Sequence, residues 1–218
     1  MENEKLLTAF VIFVVTVAFF NALITVTKLS KVSHEITGFA NNAQGFVNLT
    51  ISTQIAISAT QDTINFGSGT INTTGGYSRC NLTTAQTSAY KTPTECGNWT
   101  VAGVEGLVVE NIGTVPCKLN ISSKQGNAVN FLGGSNPFYQ INVTNKEDGA
   151  CDGDPAGVYN LSMWHNVNWD TDNGESAQFC DVFNYTSDND EIYIDVHLSF
   201  DETAAGVKSD TLTFDAYQ

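Results

Sequence analysis

Leu6 to Val26 (LLTAFVIFVVTVAFFNALITV) is a run of 21 residues without a charge, and it constrains everything that follows it. As an α-helix at about 1.5 Å per residue it would cover roughly 30 Å, the hydrocarbon thickness of a bilayer. A cleaved signal peptide has a shorter apolar region, about 7–15 residues, ending at a small-x-small site. The best such site, Phe20-Asn21-Ala22, presents phenylalanine where a small residue is required, and the apolar run continues beyond it. The expectation is an uncleaved hydrophobic helix, either a membrane span or a filament core. Leu29, Val32, Ile36, Phe39, Ala43 and Phe46 then recur at three- and four-residue steps. They continue one helical face or belong to a stalk weakened by Gly38, Asn41, Asn42 and Gly45.

From about residue 46 the apolar period shortens to two. Val47, Leu49 and Ile51 alternate with Asn48, Thr50 and Ser52. Ile192, Ile194, Val196, Leu198 and Phe200 alternate with Tyr193, Asp195, His197 and Ser199, the pattern of a strand with one buried face. Leu212, Phe214 and Ala216 repeat it. Further strand candidates are Thr63–Phe66, Glu105–Asn111, Cys117–Ser122, Phe138–Thr144, Val158–His165 and Gln178–Tyr185, and Tyr77–Trp99 reads as a long irregular loop. Turns are marked by Gly67-Ser68-Gly69, Gly75-Gly76, Gly133-Gly134 and Asp172-Asn173-Gly174. The fold class expected is mainly β: a long hydrophobic N-terminal helix in residues 1–45, then a single antiparallel β-sandwich in residues 46–218.

The net charge of -14 lies entirely on that second part. Lys5, Lys28 and Lys31 balance Glu2, Glu4 and Glu35, while the residues after 40 hold six basic and twenty acidic groups, with Arg79 the single arginine. Such a surface repels phosphate, which excludes nucleic acid as a partner and anionic headgroups as an attractive surface.

Eight Asn-x-Ser/Thr sequons follow the apolar run: Asn48, Asn72, Asn81, Asn98, Asn120, Asn142, Asn160 and Asn184. A used sequon lies on the trans side of a membrane, so they place the β part outside the cell with N-linked glycans on most of them. Counting positive residues points weakly the other way, with Lys28 and Lys31 after the apolar run. Removal of a basic leader ahead of Met1, as in type IV pilin-like precursors, would resolve that conflict. Cys80, Cys96, Cys117, Cys151 and Cys180 contain no CxxC pair, which excludes zinc-ribbon and thioredoxin readings. In an oxidising compartment two disulfides and one thiol are expected. Many pairings are open, and nearest-neighbour spacing selects Cys80–Cys96 and Cys151–Cys180. Cys117 then reads as a small buried hydrophobe or as an intermolecular bridge.

No catalytic constellation is present: His34, His165 and His197 are scattered, and HExxH, GxSxG, P-loop and Rossmann fingerprints are missing. The chain is read as a non-enzyme with no cofactor. Three acidic groups remain as candidates for a structural Ca2+: Asp148, Asp152 and Asp154; Asp170, Asp172 and Glu175; Asp188, Asp190 and Glu191. Trp164, Trp169 and Tyr159 form either a sugar-stacking platform or part of the core.

Asp62–Gly69 (DTINFGSG), Leu107–Val115 (LVVENIGTV), Lys118–Ser122 (KLNIS), Asp190–Phe200 and Gly206–Phe214 resemble the opening and closing strands of a family of surface proteins from small-genome (DPANN-type) archaea. The resemblance implies one N-terminal hydrophobic helix, an immunoglobulin-like sandwich, and a cysteine pair at Cys151 and Cys180. The chain is similar, more loosely, to archaeal type IV pilins, although Lys5 interrupts what is an apolar helix in those proteins. The function expected is a glycosylated, pilin-like subunit of an extracellular filament, a homopolymer joined through the N-terminal helix. The alternative is a singly membrane-anchored coat protein or adhesin, with carbohydrate as its candidate ligand.

Overall fold

The computed structural model describes residues 14–18, 21, 53–85, 93–99, 101–153 and 156–218. The chain divides into two units, Met1–Thr50 and Ile51–Gln218, and each is described by itself. In the first unit, the described residues are helical at 14–18 and at Asn21, with exposed side chains. Among the described residues no helix is long and apolar enough to cross a membrane. The expected long N-terminal helix is therefore corrected: among the described residues of this unit only 14–18 and Asn21 are helical. The remainder of Leu6–Val26, the stalk and the alternating segment at 47–51 lie outside the described residues.

Among its described residues the second unit holds twelve strands. They are β1 (Ser58–Gln61), β2 (Thr70–Ile71), β3 (Arg79–Thr83), β4 (Cys96–Gly97), β5 (Leu107–Glu110) and β6 (Cys117–Ser123), followed by β7 (Phe138–Asn145), β8 (Cys151–Gly153), β9 (His165–Asn166), β10 (Ala177–Phe183), β11 (Glu191–Asp201) and β12 (Leu212–Tyr217). A five-residue helix, α1 (Ala128–Leu132), lies between β6 and β7, capped by the Asn127 side chain accepting from the Asn130 amide.

Alternation explains the long strands. β11 buries Ile192, Ile194, Val196 and Leu198, while Tyr193, Asp195 and His197 keep partial exposure on the other face. It sits at the middle of the larger sheet, ordered β1-β5-β11-β7-β9, with β3 sharing an edge of β11 with β5. The smaller sheet is ordered β12-β6-β10-β8, and β2 pairs β4 in a separate ribbon. Ladder pairing is antiparallel throughout these strands. Ile141, Val143, Ile192 and Ile194 from the larger sheet meet Leu119, Ile121, Phe179 and Phe183 from the smaller in one core, each fully buried. Each such side chain contributes about 1.5–3 kcal/mol of transfer free energy, and the two apolar faces together make a β-sandwich.

The strand order departs from an immunoglobulin domain, where the last two strands are neighbours in one sheet. Here β11 and β12 lie in different sheets. Thr63–Phe66 and most of Val158–His165, expected as strands, are irregular, and only His165 of the latter joins a ladder, in β9. Tyr77–Trp99, expected as a loop, contains β3 and β4.

Buried polar groups fix the connections. The β5–β6 turn crosses between the sheets on Asn111, which is 1% exposed. Its Nδ2 donates to Phe183 O at 2.9 Å and Val115 O at 3.2 Å, and its Oδ1 accepts from Gly113 N at 3.0 Å. Gly113 is needed because a Cβ there would lie 2.5 Å from Gln54 O. Asp210, ahead of β12, accepts from Ser123 Oγ at 2.6 Å, Gln125 N at 2.9 Å and Thr211 N at 2.8 Å. Burial, together with the Asp210 carboxylate, holds the Tyr139 phenol well above its ordinary pKa. Arg79 donates to Ser199 Oγ at 3.2 Å, Ser135 O at 2.8 Å and Asn136 O at 2.7 Å, so the single guanidinium is spent on holding a loop.

Candidate functional site

The sequons sort by where the strands and turns put them. Asn81 lies in β3 with its Nδ2 donating to Glu95 Oε1 at 3.0 Å, and its sequon hydroxyl, Thr83, is fully buried. Asn120, in β6, donates to Ser176 Oγ at 3.1 Å, and its partner Ser122 is 3% exposed beneath Thr171. Asn142 sits mid-strand in β7, with its Oδ1 buried and without a hydrogen-bond partner among the described residues. Asn72 caps a 3-10 turn with both amide arms, accepting from Gly75 N and donating to Thr94 O, each at 3.0 Å. Asn184, just after β10, donates to Gly149 O at 2.6 Å. Asn98 is exposed with a left-handed backbone (φ 67°), while Thr100 and Asn48 lie outside the described residues. Asn160 is exposed in the β8–β9 loop together with its partner Ser162.

The disulfides are Cys80–Cys96 and Cys151–Cys180, with Cα separations of 5.1 and 5.4 Å. The first ties β4, two residues long, to β3; the second ties β8, three residues long, to β10. Strands this short hold little ladder of their own, so each bond ties a strand of two or three residues to a longer one. Cys117 is a buried free thiol, and burial raises its pKa, which keeps it protonated and inert.

Members of two of the three acidic groups are engaged by the fold itself. Asp170 accepts from Asp172 N at 2.9 Å and Asn173 Nδ2 at 2.8 Å, while Glu175 accepts from Asp170 N at 3.3 Å. Glu191 pairs with Lys146 at 2.6 Å. Asp148, Asp152 and Asp188 are exposed, and Asp154 lies outside the described residues. Among the described residues no group of three or more His, Cys, Asp and Glu is placed to hold a metal ion.

Asp190 is only 8% exposed, and its backbone amide donates to Glu147 Oε2 at 2.8 Å. Burial raises its pKa, and Glu147, Glu110 and Glu191 raise it further. A carboxyl with a raised folded pKa costs stability as pH rises through the interval from its unfolded value to its folded value. Asp190→Asn is therefore expected to unfold at a higher temperature than the parent near pH 7 and at the same temperature near pH 3. Thermal melts at the two pH values check this, and an unchanged difference between them contradicts it.

The aromatic residues separate. Trp169 is 3% exposed and donates from Nε1 to Tyr159 Oη at 2.8 Å, in a cluster with Phe179. Trp164 stays 37% exposed on the outer face of the larger sheet, its ring against His197 at 5.6 Å. Beside it, Gln140 donates to Asn166 Oδ1 at 3.0 Å and contacts His197 Nδ1 through Oε1 at 3.3 Å. Burial lowers the His197 pKa, so this row is neutral at physiological pH. Sequence reasoning missed the row because its members come from three separate strands. No protein-family model, curated protein or solved structure matches the chain.

Proposed function

We propose that the chain is a structural cell-surface protein, exported and N-glycosylated, whose β-sandwich forms an outward head. In this reading the apolar leading segment, Leu6–Val26, joins copies of the chain into an extracellular filament. The observation that carries the reading is the pair of disulfides, Cys80–Cys96 and Cys151–Cys180, in an acidic sandwich. Such ties persist in an oxidising compartment and are compatible with an extracellular protein. The likeness to archaeal surface proteins and type IV pilins supports a filament as the form of assembly. Electron microscopy of sheared, detergent-free surface material tests it: the chain is expected in filaments. Recovery only from detergent-extracted membranes would rule the filament out and leave a singly anchored coat protein.

The exposed Trp164 beside the polar row of Gln140, Asn166 and His197 favours a second reading, an adhesin that stacks sugars on this face. Glycan-array binding that is lost in Trp164→Ala would support it, and an array without signal would count against it.

A further inference from the structure

We propose that Asn160 is a position at which the folded head accepts an N-linked glycan in preference to the strand sequons Asn81, Asn120 and Asn142, an inference that rests on the glycoprotein reading above. Glycan transfer requires an accessible side-chain amide, an accessible hydroxyl two residues on, and a backbone free to enter the transferase. Asn160 and Ser162 are both exposed. Asn81 and Asn120 have buried partner hydroxyls, at 0% and 3% exposure, and Asn142 has a buried amide oxygen.

The backbone separates the sites further. Asn120 and Asn142 lie in strands paired on both sides, so drawing either into an enzyme breaks two ladders. Asn81 is held in β3 against β11 and lies beside the Cys80–Cys96 bond. The Asn160 loop is bent by left-handed Gly157 (φ 68°) and Ser162 (φ 61°). It is held by Ser162 N donating to Val143 O at 2.8 Å and by His165 Nε2 at 2.9 Å from Asn160 O. Asn160 itself belongs to no strand, so presenting it to an enzyme breaks no ladder, while Tyr159 and Leu161 on either side anchor the loop to the core.

The amide chemistry fits this geometry. Asn160 Nδ2 uses one hydrogen toward Gly157 O at 3.0 Å. The other hydrogen is the one replaced. The donor is a polyprenyl-phosphate-linked oligosaccharide: its sugar C1–O bond breaks, a C1–Nδ2 bond forms, and the phosphate leaves as the amide gives up one proton. The remaining N–H keeps its bond to Gly157.

The oxidised full chain, incubated with an oligosaccharyltransferase and that donor, tests the assignment by glycopeptide mass spectrometry. The reduced, alkylated and unfolded chain serves as the comparison. In the folded chain, modification at Asn160 is expected to exceed that at Asn81, Asn120 and Asn142 by roughly tenfold or more, and the gap should close on unfolding. Asn160→Gln should remove the main glycoform of the folded chain. Equal modification of the strand sequons in the folded chain overturns the proposal, as does a bare Asn160 while another sequon is filled. Transfer to no sequon in either state instead contradicts the glycoprotein reading itself.

Discussion

Replacing Cys151 and Cys180 together by alanine is expected to lower the unfolding free energy by about 3–4 kcal/mol, the chain-entropy value for a loop of this size. The two cysteines are 29 residues apart and join β8 to β10. Both cysteines are buried in the core, at 2% and 0% exposure, so loss of their sulfurs also leaves a void there. β8 has three residues and pairs with β10 alone, and without the bond its ladder is too short to hold the edge of the smaller sheet. Urea unfolding of parent and variant, read by tryptophan fluorescence, measures the difference. A loss below about 1 kcal/mol would mean that the bond is a passenger on a sheet stable without it.

Asn111→Ala is the second large effect, expected at about 3 kcal/mol, because it strands one buried and two part-buried backbone groups at once. Phe183 O and Val115 O lose their donor, and Gly113 N loses its acceptor. The turn it holds is where the chain passes from β5 in one sheet to β6 in the other, and the bond to Phe183 reaches across to β10. Asn111→Asp separates the cause from mere volume. It keeps the acceptor for Gly113 but sets a carboxylate against two carbonyl oxygens, so it should be at least as destabilising. A well-folded Asn111→Asp protein with parental stability would contradict this account of the crossing.

These two sites mark what could be read from the sequence. β11, β6, β7 and β12 were legible because each turns one apolar face to the core, that of β12 only partly covered, and this writes a period of two into the residues. The same signal misled at Thr63–Phe66. There Ile64 and Phe66 pack on the core from an irregular backbone, so alternation reported burial and not a ladder. At Val158–His165, Tyr159 and Leu161 also pack on the core, while left-handed Gly157 and Ser162 keep most of the segment out of the ladder. β2, β4 and β8 carry no pattern because two or three residues cannot display one; their pairing is imposed by neighbours and by disulfides. Asn111 read as the end of a strand, since nothing in Asn111-Ile112-Gly113 announces which distant carbonyl its amide will meet.

The candidate sites divide the same way. Sequons are local patterns and all eight could be listed, but their accessibility is tertiary. Thr83 and Ser122 look like ordinary exposed hydroxyl residues until the sheet and the Thr171 turn bury them. Asp170, Asp172 and Glu175 look like cation ligands until the turn engages Asp170 and Glu175 in its own hydrogen bonds.

The central claim, an exported head held by two disulfides, is tested most directly by alkylating intact surface material without reductant and mapping its peptides. The account predicts Cys80 linked to Cys96, Cys151 linked to Cys180, and Cys117 alkylated only after unfolding. All five cysteines found as free thiols, or Cys117 found in a bond, would contradict it.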